Sequence, residues 1–566
     1  MTGLTASRCL HLVLASSVAL GLTWLLYLGL DRTSSHVAWL AIALILFFIN
    51  ALALAAAASV AAFGLTATSK PPATIDNESK SPGPCAVVWL LCGEPPEPLA
   101  ARVRELIDGL QRTGQDGDCR VFVMSDTQGE HARARERQAL APLRDQVVYR
   151  NRPQPEGRKP GNLLDWLNHH AAGYETVLVL DADSGFSPQR LLAARQAMAA
   201  DAALGLLQSG IRLRPGSSRF SRMQRLSSRL AGGVFLRGLA RLSGDAGNYW
   251  GHNALLRVAA FRQVAELPVL AGRPPWGGPI LSHDFIEAAF LRRRGWKVQI
   301  IPSSQGSFED APQTLASHFR RDRRWAQGNL QHSRLVGTRG LHPSSRLHIL
   351  TGIQSYLSAP AWLALLLLTG SGTVHATAGV IWPLLLVLLL LLLPKILAML
   401  SWPALGRRRP RAIVLRAAGA ELIMTTLFAP ISMVHRTAFL AALAARRDHG
   451  WVPSGAADQV RQASGLFEAL AGLAILMVVM VPQLLLGSWF AAALSAVLVL
   501  PVVLPLLLAR WLVRWFDQDR LVSTAGQPPL AGRSGAIVEL NEHAVSKTRA
   551  TADRSSPGKR RRRAGA

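Results

Sequence analysis

The chain has 566 residues, 49% hydrophobic and 17% charged, with a formal net charge of +27 and a mean hydropathy of +0.21. That length allows roughly three or four domain-sized units. A chain at once so apolar and so charged must alternate apolar blocks with polar ones, which excludes an ordinary soluble enzyme, a disordered tail and a disulfide-built secreted domain. The excess of 62 Lys+Arg over 35 Asp+Glu is assigned to the positive-inside bias and anionic lipid, with no nucleic-acid partner, because runs of membrane length are present. The cysteines Cys9, Cys85, Cys92 and Cys119 form no CxxC pair, so neither a zinc site nor a disulfide framework is predicted.

Residues 1–65 read as an amino-terminal transmembrane hairpin, with spans at 10–30 and 37–65. The first run is too long for the apolar core of a signal peptide, and a second span follows at once. Residues 66–84, rich in Pro, Ser, Lys and Asn, form a linker. From 85 to 341 no membrane-length run occurs. The runs 86–91 (AVVWLL), 120–125 (RVFVMS), 176–181 (TVLVLD) and 298–302 (VQIIP) predict buried strands, and 103–110 and 162–170 predict helices between them. Strands alternating with helices give an α/β domain on a mostly parallel sheet. Its functional residues are expected just beyond the carboxyl ends of the strands.

Residues 342–514 return to the membrane, with apolar runs near 347–368, 380–400, 466–486 and 489–508. The stretch 412–445 is apolar but carries Arg416, Glu421, His435 and Arg436, and Pro430 interrupts it. As a single span it would set the basic loops 406–411 and 446–463 on opposite sides. It is therefore expected to be interfacial or re-entrant, or else a tight hairpin. The totals are six spans or eight. Both keep the amino terminus, the α/β block, the loop 446–463 and the basic, disordered tail 515–566 in the cytoplasm.

The sharpest chemical signal is LDADS, 180–184. It places Asp181 and Asp183 on the loop after a buried strand, where two carboxylates hold a hard divalent cation or form a solvated acidic turn. Asp126 in MSDT follows a second strand, as a base- or ribose-reading acid or as a turn residue. GRKPGN, 157–162, opens a helix with Lys159 and Gly161, a plausible diphosphate cradle. Asp284 in LSHDF opens an amphipathic helix, either as a cap or as a general base, and Glu287 one turn on reads as a helix-face charge. FRRDRRWAQGNL, 319–330, surrounds Trp325 with four arginines. It is either an interfacial basic helix or an indole platform for a sugar beside diphosphate-binding guanidiniums.

The order of Asp126, Lys159, Asp181/Asp183, Asp284 and Arg324–Trp325, with membrane runs on both sides, resembles the processive family-2 glycosyltransferases, such as the cellulose synthases. LDADS, NYWGHNALLR (248–257), LSHDFIEAA (281–289), SFEDAPQTL (307–315), RRDRRW (320–325) and TGIQSYLSAP (351–360) are similar to the narrower glucans biosynthesis glucosyltransferase H family. These motifs extend over roughly half the chain.

The resemblance implies a GT-A-like cytoplasmic domain inserted between transmembrane helices of a bacterial inner-membrane protein. It implies an inverting, processive hexosyltransferase that uses UDP-glucose and Mg²⁺ (or Mn²⁺). The product is the growing β-glucan backbone of osmoregulated periplasmic glucans, with a periplasmic glucan-processing partner. Asp284 is then the catalytic base. Asp126 takes the uracil or ribose, Lys159 the diphosphate, and Asp183 the metal with Asp181 in support. Arg324 and Trp325 take the diphosphate and acceptor, and Trp250 and His252 line the acceptor path. Two departures stand out: the first strand runs into CGEPPE, keeping only Glu94 of the family's Tyr-Asn-Glu, and Arg321 replaces the Gln of Q-x-x-R-W. Little sequence precedes the first hairpin, so regulation through a long amino-terminal extension is not expected. Rival readings are a synthase of another β-linked polymer (cellulose-, hyaluronan- or mannan-like) and a non-catalytic membrane transporter or regulator with a transferase-like domain.

Overall fold

A computed structural model describes residues 2–67, 81–401, 411–447, 465–485, 487 and 489–518. Most of the linker, the basic loop 402–410, the loop 448–464 with Trp451 and Arg461, and the tail from 519 lie outside them, and so do the expectations made there.

The described residues form ten strands, β1 (Cys85–Leu91), β2 (Cys119–Ser125), β3 (Val147–Asn151), β4 (Thr176–Asp181), β5 (Ser184–Phe186), β6 (Leu204–Ser209), β7 (Arg212–Arg214), β8 (Ala254–Arg257), β9 (Lys297–Ile301) and β10 (Ser307–Asp310). Seven form one sheet in the order β3-β2-β1-β4-β8-β6-β9, and β5-β10-β7 form a small second sheet. The pairs β1/β2, β1/β4, β2/β3 and β6/β9 are parallel, while β8 is antiparallel to both β4 and β6. The sheet is mixed, with its parallel half where the apolar runs predicted it.

Strand β1 is buried at every residue, as a central strand covered on both faces must be. Its odd residues Val87, Trp89 and Leu91 join one core with Leu99, Val103 and Leu110 from the helix Pro96–Arg112. Its even residues Ala86, Val88 and Leu90 join the other with Leu163, Trp166 and Leu167 from the helix Arg158–His169. The carboxyl ends of β1, β2 and β4 share one edge. Because β8 runs the other way, the loop before it reaches that same edge, with the Asn253 N–H donating to the Val179 carbonyl at 2.8 Å.

Among the described residues six helices are long and apolar enough to cross a membrane, or up to seven if a bent pair forms one span. They include Val37–Thr66, Pro343–Gly370, Ala378–Leu400 and Leu466–Leu485. Residues Arg411–Ala444, expected to be interfacial or re-entrant, form one uninterrupted helix of 34 residues, and by length and composition it too could cross. The helix Trp489–Leu507, by contrast, carries Pro501 and Pro505 and breaks into Ala509–Asp517 with a 68° bend.

Three titratable residues on Arg411–Ala444 are answered. Glu421 pairs with Lys395 at 2.7 Å and bonds Ser227, His435 bonds Glu468 at 2.7 Å, and Arg436 pairs bidentately with Asp322 at 2.8 and 3.1 Å. At the far end of the helices, the turn after the first helix meets the turn after Pro343–Gly370. There Asp31 N–H donates to the His375 carbonyl at 2.9 Å, and His375 N–H to the Ser35 hydroxyl at 3.0 Å.

The helix Arg219–Ser243, which the sequence pattern did not single out, lies across the near end. It meets the first helix through Arg8 and Leu242 (2.8 Å), the second through Arg237 and Gly64 (2.9 Å), and the final helix through Arg219 and Gln518 (2.7 Å).

Candidate active site

The loops that leave the shared edge bring the expected residues together. Asp126 follows β2 and is 5% exposed. Arg152, also buried, donates to it twice, Nε to Oδ1 at 2.8 Å and Nη2 to Oδ2 at 2.7 Å. The same guanidinium donates to the carbonyls of Glu156 (2.9 Å) and Arg158 (3.1 Å). It thereby ties the Asp126 loop to the turn that launches the Lys159 helix. Arg152 was not anticipated, since a lone arginine after a strand carries no motif.

Asp181, at the end of β4, is bonded by Lys159 Nζ. Asp183 accepts no hydrogen bond among the described residues. Burial first, then the neighbouring carboxylates of Glu309 and Asp181, push its pKa up to about 7. Such a carboxylate is short of positive charge, which is what a divalent cation supplies. Among the described residues no three His, Cys, Asp or Glu groups converge as ligands, and Asp181 and Asp183 are the acidic pair expected to hold a cation.

His252, expected on the acceptor path, stands against these carboxylates. Its Nε2 is 3.2 Å from Glu309 Oε2 and its Nδ1 is 3.0 Å from Ser184 Oγ. Burial alone would lower its pKa, but Asp181 and Glu309 outweigh that and hold it at about 9. Glu309 on β10 was also not anticipated as a site residue. Trp250 is half-buried in the same loop, with its N–H donating to Gln208 Oε1 at 2.9 Å. Glu94 is held by the Cys92 N–H at 2.6 Å, and burial raises its pKa.

Between Trp250 and His252, Gly251 adopts φ +87°. A Cβ there would lie 3.4 Å from Asp284 Oδ2 and 3.6 Å from Lys159 Nζ. The expected base and the expected diphosphate lysine therefore face one narrow space, kept open by a glycine that needs its left-handed backbone. Burial, reinforced by Glu287 and opposed by His283 and Lys159, raises the pKa of Asp284.

Arg324 and Trp325 lie on the helix Leu315–Gln331, started by a Thr314/Ser317 capping box. Arg324 is largely buried, which lowers its pKa, with Asp181 opposing. Trp325 is 42% exposed, with the Arg321 guanidinium 4.6 Å from its ring centre. The end of this helix backs onto the loop bearing Asp284. A Cβ on Gly328 would sit 2.7 Å from the Ser282 nitrogen, Leu281 N–H donates to Gln331 Oε1 at 3.1 Å, and His332 Nε2 lies 2.8 Å from the Ser282 carbonyl.

Residues 176–405 match the model for "Glycosyl transferase family group 2". The chain is 37% identical to glucans biosynthesis glucosyltransferase H of Vibrio cholerae serotype O1 over 447 residues, covering 72% of this chain and 61% of that protein. It is 36% identical to the protein of that name from Xanthomonas campestris pv. campestris, covering 68% and 64%. With the one from Rhodopseudomonas palustris the identity is 34%, covering 71% and 61%. The chain thus spans less than two thirds of the length of these relatives. A solved structure, the mannosyltransferase PcManGT from Pyrobaculum calidifontis in complex with GDP-Man and Mn²⁺, aligns at 17% identity over 72% of this chain and 98% of that one, with a TM-score of 0.43. A likeness at that score carries no functional weight. The family model over 176–405 and the glucosyltransferase H relatives bear out the resemblance read from the motifs, and the chain carries a family 2 glycosyltransferase domain with a GT-A-like fold, flanked by helices long and apolar enough to cross a membrane.

Proposed function

We propose that this cleft transfers glucose from UDP-glucose to the end of a growing β-glucan, with inversion and processively, building the backbone of osmoregulated periplasmic glucans. The observation that carries the reading is the convergence on Gly251, where Asp284 Oδ2 and Lys159 Nζ face the same space and Lys159 also bonds Asp181. A base, a diphosphate cation and the acidic pair then belong to one site.

Asp284 accepts the proton of the acceptor hydroxyl as that oxygen attacks the anomeric carbon. The carbon–oxygen bond to UDP breaks as the glycosidic bond forms, so an α-linked donor gives a β-glucoside. A carboxylate whose pKa burial has raised is a better base than an ordinary one. Lys159 and Arg324 offer positive charge to the departing diphosphate, and Asp126, fixed by Arg152, faces the nucleoside. Asp183 and Asp181 are the residues to hold Mg²⁺ or Mn²⁺, which when bound adds further positive charge at the leaving group. The exposed Trp325 ring offers an acceptor platform, and His252 serves by balancing the acidic cluster. The α/β block faces the cytoplasm of an inner-membrane protein, where nucleotide sugars are, and the polymer leaves through the adjoining helices to the periplasm and a glucan-processing partner.

The test is purified protein with radiolabelled UDP-glucose, followed by linkage analysis of the product. The variant Asp284→Asn keeps UDP affinity but loses about 10²–10⁴-fold in rate. Turnover within about threefold of wild type would sink the assignment.

A further inference from the structure

We infer that His283 and Glu287 are positioning residues for the transfer reaction, a buried charge couple on the base helix that keeps the Asp284 carboxylate ionised in the cleft. The inference rests on the general-base reading of Asp284. The two residues stand one turn apart on the helix His283–Arg293, with His283 Nδ1 3.1 Å from Glu287 Oε1. Glu287 is 0% exposed and His283 6%. Neither carboxylate oxygen of Glu287 accepts a hydrogen bond among the described residues. A buried carboxylate without hydrogen bonds persists as an anion only beside a cation.

The groups around the couple leave His283 as that cation. Tyr249, from the loop before β8, donates its hydroxyl to the Gly251 carbonyl at 2.8 Å, not to either carboxylate. His332, behind the Ser282 carbonyl, is held neutral by burial, its pKa lowered to about 4. Lys159, from the helix Arg158–His169, is bonded to Asp181. Burial pulls the His283 pKa down, but Glu287 and Asp284 outweigh it and raise that pKa.

The consequence falls on the residue between them. An unanswered carboxylate one turn from Asp284 would raise its pKa by like-charge repulsion, and the imidazolium offsets that repulsion. A base with a raised pKa holds its proton to a higher pH. Losing the imidazolium while Glu287 remains therefore moves the acid limb of the rate profile upward. Removing both charges moves it back.

The experiment is the pH dependence of initial rate for the purified full chain with UDP-glucose, alongside UDP binding and thermal melting. In His283→Asn the acid limb rises by about one pH unit while UDP affinity holds. In His283→Asn/Glu287→Gln it returns toward wild type. An unmoved limb in the single variant, or a double variant that keeps the single variant's limb, overturns the couple. If His283→Asn does not fold, Glu287→Gln alone replaces it, and there the limb moves down; no movement again overturns the inference. Active Asp284→Asn would instead remove the general-base reading, whereas inactive Asp284→Asn with an unmoved His283→Asn profile removes only the couple.

Discussion

Arg152→Met keeps an apolar stem in place and removes the guanidinium. Asp126, 5% exposed, then loses both of its charge-assisted hydrogen bonds, and the carbonyls of Glu156 and Arg158 lose a donor. Leaving one partner of a buried ion pair alone costs about 3–5 kcal/mol. For a block of this size each kcal/mol lowers the melting temperature by roughly 2–4 °C, so a shift on the order of 10 °C is expected. The assay is thermal unfolding of detergent-solubilised protein without nucleotide, so the substrate role of Asp126 does not enter. The double variant Asp126→Asn/Arg152→Met separates the pair from the residue. With neither charge buried, it recovers a large part of the loss. A single variant melting within about 2 °C of wild type, or a double variant less stable than the single, would refute the reasoning.

Two further outcomes follow from the site and the helices. Transfer requires a divalent cation and is lost both in excess EDTA and in Asp183→Ala, because Lys159 and Arg324 alone do not offset the charge of a diphosphate departing beside the acidic pair; full turnover in EDTA overturns the metal role. A cysteine at the exposed Thr33, in the turn that meets the segment around His375 far from the sheet, reacts with a membrane-impermeant thiol reagent in cells with a permeabilised outer membrane, while Cys9 at the opposite end of the same helix does not. Labelling of Cys9 and not of Thr33→Cys would invert the topology.

The sequence made legible those features that repeat or cluster. Strands β1, β2, β4 and β9 stand out as apolar runs because both faces of the sheet are covered. The four-residue β8 and the half-buried β3 offer no such run. The antiparallel insertion of β8 was therefore invisible, although it carries Trp250 and His252 to the site. Asp126, Lys159, Asp181, Asp183 and Asp284 were legible because each ends or follows a strand or sits at a helix start, and Arg324 because it lies in a charged motif around Trp325. Their partners were not. Arg152 and Glu309 act through contacts made across the fold. Glu287 was read as a helix-face charge, and it falls four residues after buried His283 and four before buried Leu291, on the inward face of its helix. Period alone marks that face, but it does not say that a carboxylate is tolerated there until the imidazole beside it is seen.

The helix Arg411–Ala444 sets composition against contacts. By length it could cross a bilayer, but composition does not register partners. Glu421 bonds Ser227 of the helix Arg219–Ser243, and Arg436 bonds Asp322 of the helix Leu315–Gln331. Both partners belong to the sheet-bearing block. Fifteen residues of helix span about 22 Å, and hydrocarbon is about 30 Å thick. A helix that crossed would carry its contacts with the block near one end only. Two contacts so far apart keep the stretch between them along the face of the block, with Phe428 and Phe319 stacked between. The helix is unbroken over these residues and is not a re-entrant hairpin, and its side chains tie it to the block at two levels. The short helix Ala509–Asp517 follows the bend after Leu507 and meets the start of the helix Leu315–Gln331. There Asp517 accepts the Leu315 N–H at 2.8 Å. The same helix that carries Arg324 and Trp325 is thus fastened at its start to the helix Ala509–Asp517, through Asp322 to the helix Arg411–Ala444, and at its end to the Asp284 loop. A change in the packing of the bundle would reach the acceptor platform and the base through one rigid element.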